Sequence, residues 1–261
     1  MNALALGLSR QIRIVSALTI REVRLRNSKH AFMQLFDLLE ALFFIVGHWV
    51  IFTYLHRSLV IGDSLLLFIA TGIFPILFFR TISIKAASAL EASKAVTSIP
   101  FVEALDYSVA RCFVEFFSFT LAFLAFFAMI AVLDLSRYAI PYNPVAIVQF
   151  LAMLTLLGFG VGLINSFLTY LIPLWKYCWS IFARTQIFFS GVFFIPEYMP
   201  PAMKEFLAYN PIMHFVALFR IAFFPTYPTH LMSMNYMLGW TFAVLMLGLA
   251  LERALRNHRA H

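Results

Sequence analysis

Ionisable residues are sparse in this chain, and several stand where charge is expensive. Arg184 lies about ten residues into a long apolar run, roughly 15 Å along a helix. A charge at such depth faces a bundle interior, a water-filled cavity or an opposite charge. Glu115 or Glu40 is the carboxylate expected to neutralise it; the sharper alternative is contact with an anionic ligand. Asp37 and Glu40 mark the inner end of an earlier run, and Arg111 and Glu115, four residues apart, can pair on one helix face. A second group, Glu197, Tyr198, His214 and Arg220, sits in a stretch broken by prolines. Arginine's planar fork suits a carboxylate or a phosphate, so Arg220 is expected to pair with Glu197 or with a lipid phosphate. His214 lies six residues earlier, does not share its face closely, and is expected to hydrogen-bond near a turn. The plainer reading of both residues is that they pin short helices in place.

Other chemistries fail on spacing. None of the glycines is followed by lysine, so the phosphate-cradling Gly-x-x-x-x-Gly-Lys-Ser/Thr loop is absent from the chain. Gly158-Phe159-Gly160-Val161-Gly162 superficially resembles a nucleotide loop, but it lies within an apolar run, where small residues let helices approach closely. No His-Glu-x-x-His or Cys-x-x-Cys pattern offers a metal site, and Ser190-Gly191 lacks the Gly-x that precedes a serine nucleophile. His48 reads as a hydrogen-bonded packing residue. The acidic residues are too dispersed for a membrane enzyme acting on a lipid-linked substrate. The chain therefore reads as having no catalytic residue, no metal and no cofactor of its own.

The elements that position these residues belong to a membrane. The chain is 62% hydrophobic and 12% charged, with a mean hydropathy of +0.88, whereas soluble domains carry about 25% charged residues. Six runs reach the roughly 20 residues that a crossing helix needs: Phe36–His56, Leu65–Ala86, Tyr107–Leu133, Ala146–Ile172, Leu174–Ile195 and Leu231–Leu251. Ahead of them, residues 1–31 form a basic amphipathic helix suited to the membrane interface. Leu4, Leu8, Ile12, Val15 and Leu18 share one face of it, and Arg10, Arg13, Arg21 and Arg24 the other. The N-terminal side of the membrane carries those arginines with Arg26, Lys29, Arg80, Lys85, Lys94, Arg111, Lys176, Arg184, Arg253, Arg256 and Arg259. The opposite side carries only Arg57, Arg137, Lys204 and Arg220. The positive-inside rule then puts both termini in the cytoplasm. The net charge of +7 reports topology rather than nucleic-acid binding. Cys112 and Cys178, at the edges of apolar runs, are not expected to form a disulfide.

Two connections and one set of rings are candidates for function. The cytoplasmic connection, about 87–106, has helical propensity from Ala89 to Val96 and is ended by Pro100. Its Glu91, Lys94, Ile99 and Phe101, with Arg21, Glu22 and Arg24 of the N-terminal helix, are candidates to dock on a partner. The outer connection, about 196–225, is too apolar for a free loop. Pro196, Pro200 and Pro201 stop the preceding helix, Pro201 opens a short one, and Asn210-Pro211 separates it from a second. The pair dips partway into the membrane, where protein or a water-filled cavity must cover it, or else lies on the outer surface. Phenylalanine contributes 31 residues, a share that calls for a use. Phe78, Phe79, Trp175, Trp179, Phe182, Phe193 and Phe194 are, with Arg184, candidates to line a pathway, because aromatic faces stack on the C–H faces of sugars. Interfacial belts and lipid-facing packing are the alternative.

This arrangement resembles the permease subunit of ABC-2-type exporters, and within them the inner-membrane capsular polysaccharide export proteins. The residues that carry the resemblance are Ser190-Gly191-Val192-Phe193-Phe194, Asn210-Pro211-Ile212-Met213-His214 with Phe219-Arg220, and Thr19-Ile20-Arg21-Glu22-Val23-Arg24-Leu25-Arg26. It implies a homodimer bound to two copies of a separate ATPase, which holds ATP and Mg. It also implies export of a lipid-linked polysaccharide, with periplasmic and outer-membrane partners; an exporter of O-antigen, teichoic acid, another glycolipid or a drug is the alternative. The expected fold is an all-α integral membrane protein. It has the amphipathic interface helix of residues 1–31 and a transmembrane domain of 32–261, with six transmembrane helices and two short re-entrant periplasmic helices before the last. Six spans are too few to enclose a polymer, so two copies related by a two-fold axis are expected to form the channel. Glu197, Tyr198, His214 and Arg220 would belong to a gate closing its outer end.

Overall fold

The computed structural model describes residues 3–92 and 102–260, with side chains described over 6–25, 39–89 and 102–257. The regular structure there is helical: α1 (Ala3–Tyr54), α2 (Leu65–Ala92), α3 (Ala104–Val132), α4 (Pro144–Leu171), α5 (Trp175–Phe189), α6 (Pro201–Ala208), α7 (Pro211–Phe223) and α8 (Met234–Ala260), with a single 3-10 turn at Pro196–Tyr198. Local chemistry sets most of these limits. No proline or glycine lies between Gly7 and Gly47, so α1 runs on past residue 31 without a break. Its expected apolar face is only partly used. Leu18 is buried, and Ile14 and Val15 partly so, against Ala89, Tyr107 and Ala110, while Leu8 and Ile12 stay exposed. A reciprocal capping box between Glu103 and Asp106 opens α3. Pro144 and the Asn143 side chain, which accepts from Ala146 N at 3.2 Å, open α4.

The six expected crossings are not all present at full length. Among the described residues, four helices are long and apolar enough to cross: Leu65–Ala89, Ala104–Val132, Pro144–Leu171 and Met234–Asn257. The α6–α7 pair, bent by 96°, passes the same test only when taken together, and Leu39–Tyr54 is a shorter apolar helix. At 15 residues α5 is shorter than the expected Leu174–Ile195. Pro173 separates it from α4, and Gly191 turns the chain at φ +70°, where a Cβ would sit 2.8 Å from Pro196 Cγ.

α2 is the central helix, packed against α1, α3, α4, α5 and α7. The phenylalanines find their use here. Phe74 meets Phe119, Phe123, Phe126 and Phe127 at centroid distances of 5.3–5.8 Å. Phe150, Phe219 and Phe223 extend the cluster from α4 and α7. Most of these rings are tilted or edge-on, the arrangements that aromatic quadrupoles favour. The glycine run of α4 serves close packing. A Cβ on Gly162 would lie 2.5 Å from Ala86 Cβ of α2, and one on Gly160 would lie 2.8 Å from Leu245 Cα of α8. From the other side of that seam, a Cβ on Gly248 would meet Gly160 O at 2.6 Å.

Asp63 joins the α1–α2 and α3–α4 connections. It accepts from Ser136 Oγ at 2.5 Å and Arg137 N at 2.9 Å, and pairs with the Arg137 guanidinium at 3.3 Å. Burial raises the Asp63 carboxyl, but these donors outweigh it and hold the group below the ordinary carboxylate value.

Two predictions follow from this packing. Gly160→Val should force α4 and α8 apart and lower stability by about 1–3 kcal/mol, the usual penalty for overpacking. Gly239→Ala, with nothing within 4 Å of its Cβ, should change thermal unfolding in detergent little; equal effects would remove the seam as a determinant of stability. A depressed folded-state pKa gives Asp63 a contribution that is present above its unfolded value of about 3.9. It is lost as pH falls through the lower folded value. Asp63→Asn should therefore flatten the acid side of a stability-versus-pH curve, and an unchanged acid limb would contradict this.

Candidate functional site

At one end of the bundle, Arg220 is fully buried and makes no ion pair among the described residues. Its Nη1 donates to Gly191 O at 2.6 Å and Phe194 O at 3.3 Å; its Nη2 donates to Val192 O at 2.5 Å and Phe68 O at 3.3 Å. Its Cζ lies 4.0 Å from the centroid of the Phe68 ring. This corrects the expectation of a pair with Glu197 or a lipid phosphate. The chain leaves helical form after Phe189, and the carbonyls of the turn need donors in an apolar setting; the guanidinium supplies them in a fixed fork. Gly72 makes room, since a Cβ there would lie 2.7 Å from Val192 O and 2.8 Å from Arg220 Nη2. Glu197 instead accepts from Leu231 N at 3.4 Å, and Tyr198 is exposed.

The other gate candidate, His214, is buried between two backbone groups. Ser233 N donates to its Nδ1 at 3.2 Å, so Nε2 carries the proton given to Ala208 O at 2.8 Å. Asn210 does more than break a helix, the role its sequence context predicts. It also binds the end of α5: its Nδ2 donates to Gln186 Oε1 at 3.0 Å, Phe189 O at 2.9 Å and Ser190 Oγ at 3.0 Å, while its Oδ1 accepts from Ile212 N. An Asn-Pro pair reports a break and a cap in the sequence, not the remote partners of the amide.

The pathway candidates divide. Phe78 and Phe79 are buried, Phe78 between Phe116, Phe119 and Phe150, so they are core rather than lining. Trp175 donates to Asn165 Oδ1 at 2.8 Å and Trp179 to Ser83 Oγ at 3.2 Å, which holds α5 on α4 and α2. Phe193 and Phe194 are half-buried, and Phe193 stacks on His48 of α1 at 4.9 Å. Phe182 and Arg184 are exposed. Arg184 does not have the carboxylate expected for it, because Glu40 pairs with Arg80 at 2.6 Å and Glu115 lies 3.9 Å from Lys85. Sequence reasoning missed Tyr177 and Ile181, which share the exposed face of α5 with Phe188.

At the opposite end, Glu22 is buried, which removes it from the expected partner surface. It accepts from Tyr107 Oη at 2.6 Å and from Arg111 Nε at 3.0 Å, and Arg111 also donates to Ser88 Oγ at 3.0 Å. Arg111 therefore pairs across helices, not with Glu115 four residues along its own. Gln11 donates to Asp106, and Arg256 of α8 pairs with Glu103. Arg21 is half-buried and Arg24 exposed. The Glu91 side chain, Lys94, Ile99 and Phe101 lie outside the described residues.

The likeness to known proteins runs nearly end to end. The polysialic acid transport protein KpsM of Escherichia coli is 29% identical over 241 residues, 92% of this chain and 92% of the relative. The capsule polysaccharide export inner-membrane protein BexB of Haemophilus influenzae is 23% identical over 95% of this chain and 92% of its own. The protein CtrC of Neisseria meningitidis serogroup A, with the same description, is 22% identical over 92% and 90%. No family model matches the chain. The resemblance carried by the short motifs is thus borne out along the length of the molecule.

The Arg220 clamp generates a prediction. Lysine cannot span four carbonyls from one ammonium, and methionine leaves all of them without that donor. Arg220→Lys and Arg220→Met should each lose at least about 1–3 kcal/mol, the range for a buried polar group left unpaired. Thermal unfolding in detergent checks this, and wild-type stability in the lysine variant would refute the clamp.

Proposed function

We propose that this chain is the permease subunit of an ABC exporter that moves lipid-linked capsular polysaccharide across the inner membrane, driven by a separate ATPase. The observation that carries this is the similarity to KpsM, BexB and CtrC over more than nine-tenths of the chain. The absent phosphate-binding loop agrees with it, since ATP and Mg are then held by the partner subunit. The working unit is a homodimer with two ATPase copies, and periplasmic and outer-membrane export proteins receive the polymer. The exposed faces of α1 and α5 favour pairing, because Phe43, Val50, Tyr54, Ile181 and Phe188 are each more than half exposed and a symmetric partner would cover such faces. Both termini are cytoplasmic, by the lysine and arginine bias. The ATPase engages the 93–101 connection and the exposed Arg24.

The decisive experiment is co-purification with the ATPase, followed by hydrolysis assays with and without lipid-linked polymer. A dimeric complex whose hydrolysis rises with polymer is expected; a stable, active monomer with no ATPase bound would refute the assembly. Topology has its own check. A cysteine at exposed Tyr209 should react with an impermeant thiol reagent from outside, and labelling only from the cytoplasm would invert the protein. For coupling, Phe101→Ala should leave the protein in the membrane yet separate hydrolysis from export, with unchanged export excluding that anchor.

A further inference from the structure

Two hollows flank one face of α3, and nothing described above uses them. One, about 490 Å³, lies between α1 and α3, lined by Ile12, Val15 and Ile20 on one side and by Phe113 and Phe117 on the other. The second, about 410 Å³, lies between α3 and α4, with Phe116, Ala152 and Phe159 on its walls. Val109 and Phe113 line both, so the hollows adjoin across α3. Each is of the size that small ligands occupy, roughly 300–1,000 Å³. The walls are apolar because their hydroxyls bond within their own helices: Thr19 Oγ1 donates to Val15 O at 2.8 Å and Thr155 Oγ1 to Leu151 O at 2.6 Å. The Gln11 amide, which also reaches the first hollow, is taken by Asp106. Positive charge stands on the α1 edge. Arg13, Ser16 and Ile20 fall at the i, i+3, i+7 spacing of one helix face. Arg13 is exposed; its Nε donates to Ser9 O at 3.3 Å, and it makes no ion pair among the described residues. Exposed Arg10 stands three positions earlier.

We infer that the two hollows hold the two acyl chains of one anionic phospholipid of the bilayer, astride Phe113, with its phosphate at Arg13. α3 and α4 are both long and apolar enough to cross a membrane, so the hollow between them opens to hydrocarbon. A peptide segment there would bring backbone N–H and C=O groups that the walls cannot pair, a cost that hydrocarbon surroundings do not allow. An acyl chain brings no such group. Two hollows of similar size, sharing the Phe113 wall, suit two chains joined at one head. The charge is complementary as well, because a basic residue at the membrane surface attracts an anionic headgroup. The faces offered to a second subunit lie elsewhere: α5 and Phe43, Val50 and Tyr54 of α1 line neither hollow. The lipid has a structural task. α3 and α4 are consecutive in the chain yet barely touch, and one lipid would join both to the first half of α1. None of this depends on the export reading.

The test uses the full chain, purified in detergent, stripped of lipid and titrated with phosphatidylglycerol or phosphatidylcholine of the same acyl chains. Native mass spectrometry counts the lipids bound. One phosphatidylglycerol per chain should bind more tightly than phosphatidylcholine, and it should raise the unfolding temperature. Arg13→Gln should weaken phosphatidylglycerol about fivefold, the worth of one basic residue at an anionic surface, and Arg13→Lys should retain most of the affinity. Ala152→Trp fills the second hollow from an exposed position. It should weaken both lipids while unfolding, without lipid, at the wild-type temperature. Lys176→Gln removes an exposed charge remote from the hollows and should change neither lipid. Equal affinity for the two lipids, or full phosphatidylglycerol binding by Arg13→Gln or Ala152→Trp, overturns the inference. So does an equal loss in Lys176→Gln, which would make the attraction a property of the whole surface. Displacement of the bound lipid by equimolar lipid-linked polymer would give the hollows to the cargo's anchor. Loss of a wild-type dimer in Ala152→Trp would give them to a second copy. Either result also overturns the assignment to a bilayer lipid.

Discussion

One half of this molecule depends on one guanidinium in an apolar interior. After Phe189 the chain stops being helical while still enclosed by α2 and α7, and its carbonyls at Gly191, Val192 and Phe194 need donors. Arg220 provides them, and reaches Phe68 O of α2 as well. A buried charge is costly unless its donors are paired; four carbonyls take the two terminal nitrogens, and Nε has no partner among the described residues. Other features are conditions for this contact. Gly72 leaves space for the guanidinium, Gly191 permits the turn, and Asn210 fixes α7 against the end of α5 so that Arg220 arrives at the right height.

Below that clamp, packing rather than polarity holds the bundle. In lipid there is little hydrophobic gain in bringing helices together, so shape decides. Rings from α2, α3, α4 and α7 interlock in one aromatic cluster, and glycines let α4 approach α2 on one side and α8 on the other. The two devices divide the work: small residues set how near the backbones come, and large rings fill the volume that remains. α5 takes little part, since only Ala183 and Ile187 of the helix are buried. It is a helix fixed at its ends and exposed along one face.

The opposite end is built differently, from crossed ion pairs and hydrogen bonds. Gln11 and Glu22, about 16 Å apart along α1, reach Asp106 and Arg111, five positions apart on α3, so the two helices cross obliquely. Ser88 of α2 and Arg256 of α8 join the same region. α1, α2, α3 and α8 are tied to one another there.

The sequence by itself determined the class of molecule, because composition and long apolar runs leave no alternative to a helical membrane protein. It also determined the breaks at Pro196–Pro201 and Asn210–Pro211, the absence of a phosphate loop, and the packing role of the Gly158–Gly162 run. These are local properties: a proline lacks its N–H and a glycine its Cβ whatever surrounds them. The tertiary structure decided which charges meet. Arg111 had a carboxylate four residues away and took Glu22, from eighty-nine positions earlier. Arg220 had Glu197 nearby and took backbone carbonyls, which carry no residue type to read. Whether Phe78 faced a pathway or the core depended on rings supplied by α3 and α4. The length of α5 was hidden for the same reason, since apolar residues run on past Phe189 while a buried turn, held from α7, ends the helix there.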